Sequence, residues 1–162
     1  MVKFLYKKKN VLNFTIILLI FFLDKISKYF VVNFLSSINE KVIKINSFLN
    51  INLISNEGIA FGLLALDKKN HYDLLTLLIL LIVLILIYLM MRSNGLEKIS
   101  YSMIIGGSLG NLTDRIYQRS VIDFIDIHIN NLHWFIFNIA DIFITLGIII
   151  LVILEITKKN VN

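Results

Sequence analysis

The chain has 162 residues, of which 57% are hydrophobic and 17% charged, and its mean hydropathy is +0.81. Average globular domains are about 45–50% apolar and about 25% charged, so this composition excludes a disordered chain and indicates a membrane protein. The absence of cysteine excludes disulfides, thiolate metal sites and cysteine nucleophiles. The net charge of +5 fits nucleic acid or a membrane surface as a partner, and the hydropathy favours the membrane.

Four stretches approach the roughly 20 apolar residues that a helix needs to cross a bilayer. The second stretch is the most continuously apolar, whereas the other three contain polar side chains within the apolar run. The sequence therefore predicts one α-helical membrane domain, residues 1–162, built as a four-span bundle. The predicted spans are approximately 11–34, 72–91, 99–116 and 135–156, and the predicted outer loops are 35–71 and 117–134.

The basic residues in the short flanking segments predict the orientation of the bundle. With four spans, one face of the membrane receives Lys3, Lys7, Lys8, Lys9, Arg92, Lys98, Lys158 and Lys159. The two longer loops on the opposite face contain only Lys41, Lys44, Lys68, Lys69 and Arg119. Cytoplasmic loops carry the excess of lysine and arginine, so both termini are expected in the cytoplasm and both loops outside.

The first outer loop contains more than a linker. Apolar and polar residues alternate between Val42 and Leu53, which is typical of short strands, and the segment 56–58 reads Asn-Glu-Gly, a turn signal. We expect a small extracytoplasmic β-sheet here. The end of the loop, residues 59–75, is expected to form a short surface helix that leads into the second span.

The first span contains two ionisable residues, Asp24 and Lys28, four positions apart on one helical face. Charged groups inside a span are costly and usually pair or face a polar cavity. These two residues form either a structural ion pair that fixes packing or part of a functional site.

The third span contains Gly106 and Gly110, a spacing that lets helix backbones approach closely. Asn111, Asp114 and Arg115 then lie at the outer end of this helix. Arg115 is a natural partner for a carboxylate or a lipid phosphate, and the alternative is an arginine that extends to the membrane interface.

Two carboxylates, Asp123 and Asp141, are expected at similar depth on the outer side because the loop between them returns to the same face. Asp141 lies six residues after Phe135, which corresponds to about 9 Å along a helix that starts there. Two carboxylates in one poorly solvated site share a proton, which is the arrangement of aspartic peptidases. The spacing alone equally allows a proton relay or an ion site. A metal cluster of Asp114, Asp123, Asp126, His128 and His133 is disfavoured because it lacks the spacing of known helical zinc motifs.

Taken together, five segments resemble the lipoprotein signal peptidases, the bacterial signal peptidase II family of four-span aspartic peptidases. In chain order they read FFLDKISK, NEGIAFGLL, GGSLGNLTDR, VIDFID and FNIADIFITLG. Each segment alone is a weak signal, and their order along most of the chain makes the resemblance specific.

The resemblance implies that Asp123 and Asp141 are the catalytic pair. It further implies site-shaping roles for Asn56, Gly58, Asn111, Asp114, Arg115, Asn138 and Ala140, and it matches Asp24 and Lys28 to the first-span motif. The implied reaction cuts a diacylglyceryl-modified prolipoprotein before its lipidated cysteine, with no metal or other cofactor. The implied location is the bacterial cytoplasmic (inner) membrane, among phospholipids, with the active site near the outer face. No nucleic acid and no obligate protein partner are expected.

The chain departs from the family pattern at a few positions. Lys25 stands where the family usually has glutamine, and Arg119 stands where a glycine is common. Trp134-Phe135 replaces a frequent Trp-Pro, and Ile142 replaces a small residue. These differences bear on loop shape and substrate preference.

Two other classes of protein compete with the peptidase. One is a small transporter or proton-conducting protein that uses Asp24, Asp114 and Asp141 as a relay. The other is a structural membrane subunit whose polar pairs serve packing. The polar residues cluster at the outer ends of spans three and four rather than along a path across the bilayer, which favours the peptidase.

Overall fold

The computed structural model describes residues 2–58, 68–129 and 132–159. Its helices are α1 (Val2–Ser37), α2 (Lys68–Arg92), α3 (Gly95–Gln118) and α4 (Ile139–Lys159). Its strands are β1 (Val42–Lys44), β2 (Leu49–Asn56), β3 (Val121–Ile129) and β4 (Leu132–Phe137). The predicted surface helix falls mainly on residues 59–67, which lie outside the described residues, and α2 already begins at Lys68.

Helix α3 lies at the centre and contacts each of the other three helices. Its glycines make these contacts close. A Cβ atom at Gly106 would lie 3.0 Å from the Ile17 carbonyl oxygen of α1, and one at Gly107 would lie 2.5 Å from the Ala140 carbonyl oxygen of α4. Small residues therefore allow α1 and α4 to pack directly on the backbone of α3.

Helix α1 buries one narrow stripe and exposes its other faces. From residue 13 to residue 28 the buried positions recur every three or four residues, as expected for one face of a helix, and are Asn13, Ile17, Ile20, Asp24 and Lys28. Leu35 continues the stripe two turns later. The polar members of this stripe face α3, where Ser102 donates to Asn13 and Asn111 accepts from Lys28. The apolar residues between them point outward, including Phe14, Phe22 and Phe30.

Helices α2 and α4 have the length and composition of membrane spans. The qualifying segments are Tyr72–Arg92, with mean hydropathy 3.2, and Ile139–Lys158, with mean hydropathy 2.7. Only 6% and 11% of the most apolar windows of these two segments are buried inside the protein. Exposed apolar surface of this extent exceeds what soluble monomers present to water, and a lipid environment accounts for it.

The four strands form one antiparallel sheet in the order β1-β2-β3-β4. Strands β1 and β2 come from the first loop, where the alternating pattern predicts them. Strands β3 and β4 come from residues 121–137, for which the sequence predicts only a loop and the start of the fourth span. The pairing of β2 with β3 sets Asn56 opposite Val121 and Ile54 opposite Asp123, so both loops contribute to the same surface.

The structure corrects the predicted start of the fourth span. Residues 135–137 belong to β4, and α4 begins at Ile139. Asp141 therefore lies in the first turn of α4 and not about 9 Å along a helix from Phe135. Phe135, Ile136 and Phe137 form a short apolar run, and hydropathy alone does not distinguish such a run in a strand from the start of a helix.

Helix α3 ends at a left-handed residue. Arg119 has φ 54° and ψ 24°, and its backbone N–H donates to the Arg115 carbonyl at 3.1 Å. Glycine is the usual residue at this position of a helix end. The turn at Arg119 redirects the chain into β3, which begins two residues later.

Replacing Gly107 tests the close approach of α3 to α4. Gly107→Ala would place a methyl group against the Ala140 backbone oxygen, an atom that moves only with the helix, and we expect a loss of about 1–3 kcal/mol in the free energy of unfolding. Unfolding in detergent micelles measures this loss. Ser36→Thr adds one methyl group at an exposed position of α1, and its effect should stay within about 0.5 kcal/mol. An equal effect of both changes would contradict the packing described here.

Candidate active site

A cluster of two lysines and two aspartates joins α1 to α3. Lys28 Nζ lies 2.8 Å from Asp24 Oδ2 and 2.7 Å from Asp114 Oδ2. Lys25 pairs with the other oxygen of Asp114 and also donates to the Gly110 carbonyl at 2.8 Å. The two positive and two negative charges balance, as buried ionic groups require.

Asp24 also connects this cluster to α4. Its second oxygen, Oδ1, accepts the backbone N–H of Ala140 at 3.1 Å. A Cβ atom at Gly110 would lie 2.6 Å from Asp24 Oδ2, so the glycine leaves room for this carboxylate between α1 and α3. Ala140 itself is fully buried. The sequence-predicted residues Asp24, Lys28, Asp114 and Ala140 thus lie in one contiguous group.

Asn138 and Asp141 form a reciprocal cap at the start of α4. Asn138 Oδ1 accepts the backbone N–H of Asp141 at 3.0 Å, and Asp141 Oδ2 accepts the backbone N–H of Asn138 at 3.1 Å. This is the capping-box arrangement, here with asparagine and aspartate in place of the usual serine and glutamate. It satisfies two free N–H groups of the helix and holds the Asp141 carboxylate at the positive end of the helix dipole.

Asn138 also reaches the second candidate carboxylate. Its Nδ2 donates to Asp123 Oδ1 at 2.6 Å and to Asn111 Oδ1 at 3.1 Å, while Asn111 Nδ2 donates to Asp141 Oδ1 at 2.8 Å. One fully buried asparagine is therefore bonded to both Asp123 and Asp141. The structure brings the two aspartates, 18 positions apart in the sequence, to one site.

Asp123 lies on β3 and is 3% exposed. Burial raises the pKa of the Asp123 carboxyl, and hydrogen bonds from Asn56 and Asn138 lower it by less. The negative charge of Asp141 adds to the increase, and the positive charge of Lys28 opposes it. Asp123 thus has the surroundings of an acid that keeps its proton to higher pH than an exposed carboxyl does.

Asn56 and Gly58 form the turn that covers Asp123. Asn56 Oδ1 accepts the Gly58 backbone N–H at 2.8 Å, so its Nδ2 points the other way and donates to Asp123 Oδ2 at 2.9 Å. Gly58 has φ +72°, and a Cβ atom there would lie 2.8 Å from a Leu75 methyl group. Both the backbone angle and the space favour glycine at this position.

A cavity of about 460 Å³ opens beside Asp123. Asn56, at the end of β2, and the following residues Glu57 and Gly58 line it together with other residues of β2, β3 and β4. Because its lining combines polar residues with Ile54 and Ile136, it suits a peptide segment with apolar side chains.

Arg115 is placed differently from the other predicted residues. Its guanidinium donates to the Asn111 carbonyl at 3.3 Å and lines a groove between α2 and α3 with Tyr72, whose hydroxyl donates to the Arg115 carbonyl at 3.1 Å. Lys25, which departs from the family pattern, also belongs to the charge cluster. Its spacing from Asp24 and Lys28 did not indicate this, because the contact crosses to α3.

The described residues include no group of three or more histidine, cysteine, aspartate or glutamate side chains arranged to hold a metal ion. Asp126, considered above for such a cluster, accepts hydrogen bonds from Asn50 at 3.4 Å and from Asn52 at 3.5 Å. These hydrogen bonds join Asp126 of β3 to the neighbouring strand β2 of the sheet.

Comparison with known proteins identifies the family. The sequence model of a family described as signal peptidase (SPase) II matches residues 16–157. The chain belongs to the signal peptidase II family. It is accordingly a membrane protein and a peptidase.

Curated relatives carry a consistent name. A lipoprotein signal peptidase of Pelagibacter ubique is 40% identical over 153 residues, which cover 94% of this chain and 92% of that protein. One of Francisella tularensis subsp. novicida is 42% identical over 152 residues, with 91% and 93% coverage. A third, from Thermodesulfovibrio yellowstonii, is 37% identical over 142 residues, with 88% and 92% coverage.

Two solved structures share the fold, and both are described as bacterial membrane enzymes studied by the in meso method. The first, at 2.3 Å resolution, has a TM-score of 0.70 at 28% identity and covers 91% of this chain and 88% of its own. The second, at 1.9 Å resolution, has a TM-score of 0.73 at 28% identity, with 88% and 91% coverage.

The raised pKa of Asp123 predicts how stability depends on pH. The folded protein keeps this proton at pH values where the unfolded chain, with a carboxyl pKa of about 3.9, has lost it. The free energy of unfolding therefore falls as pH rises from about 4 through the raised pKa. Asp123→Asn removes this fall, so the variant should gain stability relative to the parent over that range.

Thermal unfolding in detergent micelles between about pH 4 and pH 8 measures the difference. Glu40→Gln removes one exposed carboxyl outside the site and should leave the pH dependence unchanged. A difference between Asp123→Asn and the parent that stays constant with pH would argue against a proton held by Asp123.

Proposed function

We propose that this chain is an aspartic endopeptidase that removes signal peptides from diacylglyceryl-modified prolipoproteins, with Asp123 and Asp141 as the catalytic pair. The observation that carries the proposal is the joint contact of Asn138 with both carboxyl groups. The relatives named lipoprotein signal peptidase support the substrate class. The cut lies before the lipidated cysteine of the precursor.

The chemistry requires one ionised and one neutral carboxyl group. The ionised carboxylate takes a proton from a water molecule as the water oxygen attacks the peptide carbonyl carbon. The neutral carboxyl donates a hydrogen bond to the carbonyl oxygen as negative charge develops there. It then gives its proton to the leaving nitrogen, the carbon–nitrogen bond breaks, and the pair again holds one proton.

Amide donors surround the pair and orient it. Asn56 and Asn138 donate to Asp123, and Asn111 donates to Asp141. Each carboxyl therefore has a defined direction before substrate arrives, which lowers the reorganisation that the reaction needs. Among the described residues, the groups that donate to the two carboxyls are side-chain amides and one backbone N–H, and in this proposal the carboxyl groups themselves carry the acid–base chemistry.

The substrate is anchored in the lipid, so its scissile bond reaches the enzyme near the membrane surface. The cavity beside Asp123, with the loop of Asn56 and Gly58 at its rim, would hold the peptide. The outward apolar faces of α2 and α4 contact phospholipid, where the acyl chains of the substrate also reside. No nucleic acid and no obligate protein partner form part of this proposal.

We place the protein in the bacterial inner membrane with four spans, both termini in the cytoplasm and the active site near the outer face. The buried polar stripe of α1 faces α3, where Lys28 meets Asp114, and this arrangement shields the charges of these two helices from lipid. The excess of basic residues before α1, between α2 and α3 and at the end of α4 supports the orientation.

In the competing hypothesis of a transporter, Asp24, Asp114 and Asp141 would form a proton relay. Asp24 and Asp114 are instead each bonded to lysine, and Asp141 is bonded to Asn111 and to the backbone of Asn138. Fixed pairs of this kind favour a static site over a relay. Proton or ion flux through proteoliposomes without precursor cleavage would decide for the transporter.

Substitution of the two aspartates tests the proposed reaction. Asp123→Asn and Asp141→Asn should each lower cleavage of a lipidated precursor by at least about 100-fold, because asparagine neither accepts the proton of water nor returns one. Purified enzyme in micelles with a lipid-modified precursor provides the assay. Asp126→Asn, a buried change three residues further along β3, is the matched control and should retain cleavage. Near-normal cleavage by Asp123→Asn or Asp141→Asn would contradict the proposed catalytic pair.

The natural absence of cysteine allows a direct test of orientation. Ser47→Cys lies in the exposed turn between β1 and β2, and Asn94→Cys lies between α2 and α3, where Asn94 makes no side-chain cap bond. In spheroplasts, an impermeant thiol reagent should label position 47 at once and position 94 only after permeabilisation. The reverse pattern would overturn the proposed topology.

A further inference from the structure

A second groove, of about 360 Å³, lies between α2 and α3. Its lining shares no residue with the lining of the cavity beside Asp123. The groove combines charged and polar residues with leucine and isoleucine, and the proposed peptidase reaction gives it no role. The charged residues that line it are Asp73, Arg115 and Arg119.

The polarity of the lining changes along the length of the groove. At the polar end, Tyr72 is the first residue of the apolar segment of α2, and Arg119 caps the end of α3. Leu80 lies eight residues further along α2 and Leu112 seven residues back along α3, which places them about 12 Å and about 10 Å from that end. The hydrocarbon of one leaflet is about 15 Å thick. The groove therefore extends from the polar edge of a span well into the apolar layer.

The two arginines at the polar end have few partners within the protein. Arg115 donates to the Asn111 backbone carbonyl at 3.3 Å, and its buried Nε has no hydrogen-bond partner among the described residues. Neither Arg115 nor Arg119 forms an ion pair with a carboxylate of the described residues, and this includes Asp73. Two positive charges and one negative charge leave the lining with a net charge of about +1 at neutral pH.

The chemistry of the lining fits one class of ligand. A phosphate diester carries one negative charge and several acceptor oxygens, which suit a guanidinium group, and acyl chains suit leucine side chains. A phospholipid has these two parts in the same order along the membrane normal as the groove. The neutral diacylglyceryl group of a lipidated precursor would match the apolar end only, and a free anion would match the polar end only.

We propose that the groove between α2 and α3 binds one phospholipid molecule with an anionic head group. The phosphate lies against Arg115 and Arg119, and an acyl chain lies along Leu80 and Leu112. This inference goes beyond the proposed function, because it needs the membrane location of the chain and not the catalytic role of Asp123.

Arg119 offers a substitution that does not endanger the fold. Its φ of 54° is in the left-handed region, where glycine is the usual residue of a helix end. Arg119→Gly therefore removes one guanidinium and suits the backbone better than arginine does. Lys44→Gln is the matched control, because it also removes one positive charge but lies at an exposed position of β1 outside the groove.

Native mass spectrometry of the full chain in detergent, with added phosphatidylglycerol, measures the fraction of protein that carries one lipid. Arg119→Gly should weaken binding of this lipid about fivefold, as expected for the loss of one basic side chain at a lipid head group. Lys44→Gln should bind it as the parent does. Equal binding by the parent and Arg119→Gly would overturn the proposal.

A second pair of variants tests the apolar end. Leu80→Trp fills the groove with a larger apolar side chain and should also weaken binding of phosphatidylglycerol. Leu81→Trp makes the same change at the next position of α2, which is similarly exposed (48% against 39% for Leu80) and does not line the groove. Equal effects of Leu80→Trp and Leu81→Trp would contradict an acyl chain in the groove.

Two further probes distinguish the ligand from its alternatives. Diacylglycerol, which lacks the phosphate, should bind more weakly than phosphatidylglycerol and equally to the parent and Arg119→Gly. Diacylglycerol binding as tight as that of phosphatidylglycerol would assign the groove to the neutral lipid of the substrate. Excess inorganic phosphate should not displace the bound lipid, and displacement would indicate a site for the free anion. Either result would overturn the proposal, whereas the proposed function is decided separately by cleavage in Asp123→Asn and Asp141→Asn.

Discussion

The contact of Lys28 with Asp24, Asp114 and Asn111 is the interaction on which the rest of the structure depends. A buried ammonium group is tolerable only when its charge and its three donors are matched, and here α1 and α3 supply the partners together. This need fixes the register of α1 against α3. Asp24 then accepts the N–H of Ala140, so the same cluster also sets the position at which α4 begins.

The start of α4 and the sheet converge on a single residue. Asn138 caps α4 through Asp141 and donates across to Asp123 on β3. The capping bond is a local requirement of any helix end, whereas the bond to Asp123 is made between elements. The residue that caps the first N–H groups of α4 therefore also sets the relative position of Asp123 and Asp141, the proposed catalytic pair. Membership of the signal peptidase II family places this arrangement in a peptidase of the membrane.

Close packing and polar bonding support each other at α3. The glycines of this helix bring the Ile17 and Ala140 backbones near enough for Asp24 and Lys28 to reach the carboxylate and amide groups of α3. With larger residues at Gly107 or Gly110, the helices would separate and the buried charges would lose their partners. The apolar faces of α2 and α4 need no polar partners, and they face outward.

The sequence predicted the apolar helices and the first two strands, because hydropathy and alternation are local signals. It also singled out Asp123 and Asp141 as polar groups beside or within apolar runs, and their catalytic roles stay a prediction. It did not predict β3 and β4, since Phe135, Ile136 and Phe137 suit a strand as well as a helix start. It also did not assign Lys25 to the charge cluster, because its contact with Asp114 spans 89 positions.

The sequence by itself determined that the protein is built from apolar helices, that it lacks thiol chemistry, and that carboxyl groups are available for acid–base work. Only the tertiary structure decided which carboxyl groups share a hydrogen-bonding partner and which way each amide faces. Residue spacing along one chain specifies the face of a helix or strand, but not the register between two of them. That register depends on whether each buried charge has a partner on a neighbouring element. For Lys28 of α1, the partners on α3 are Asp114 and Asn111.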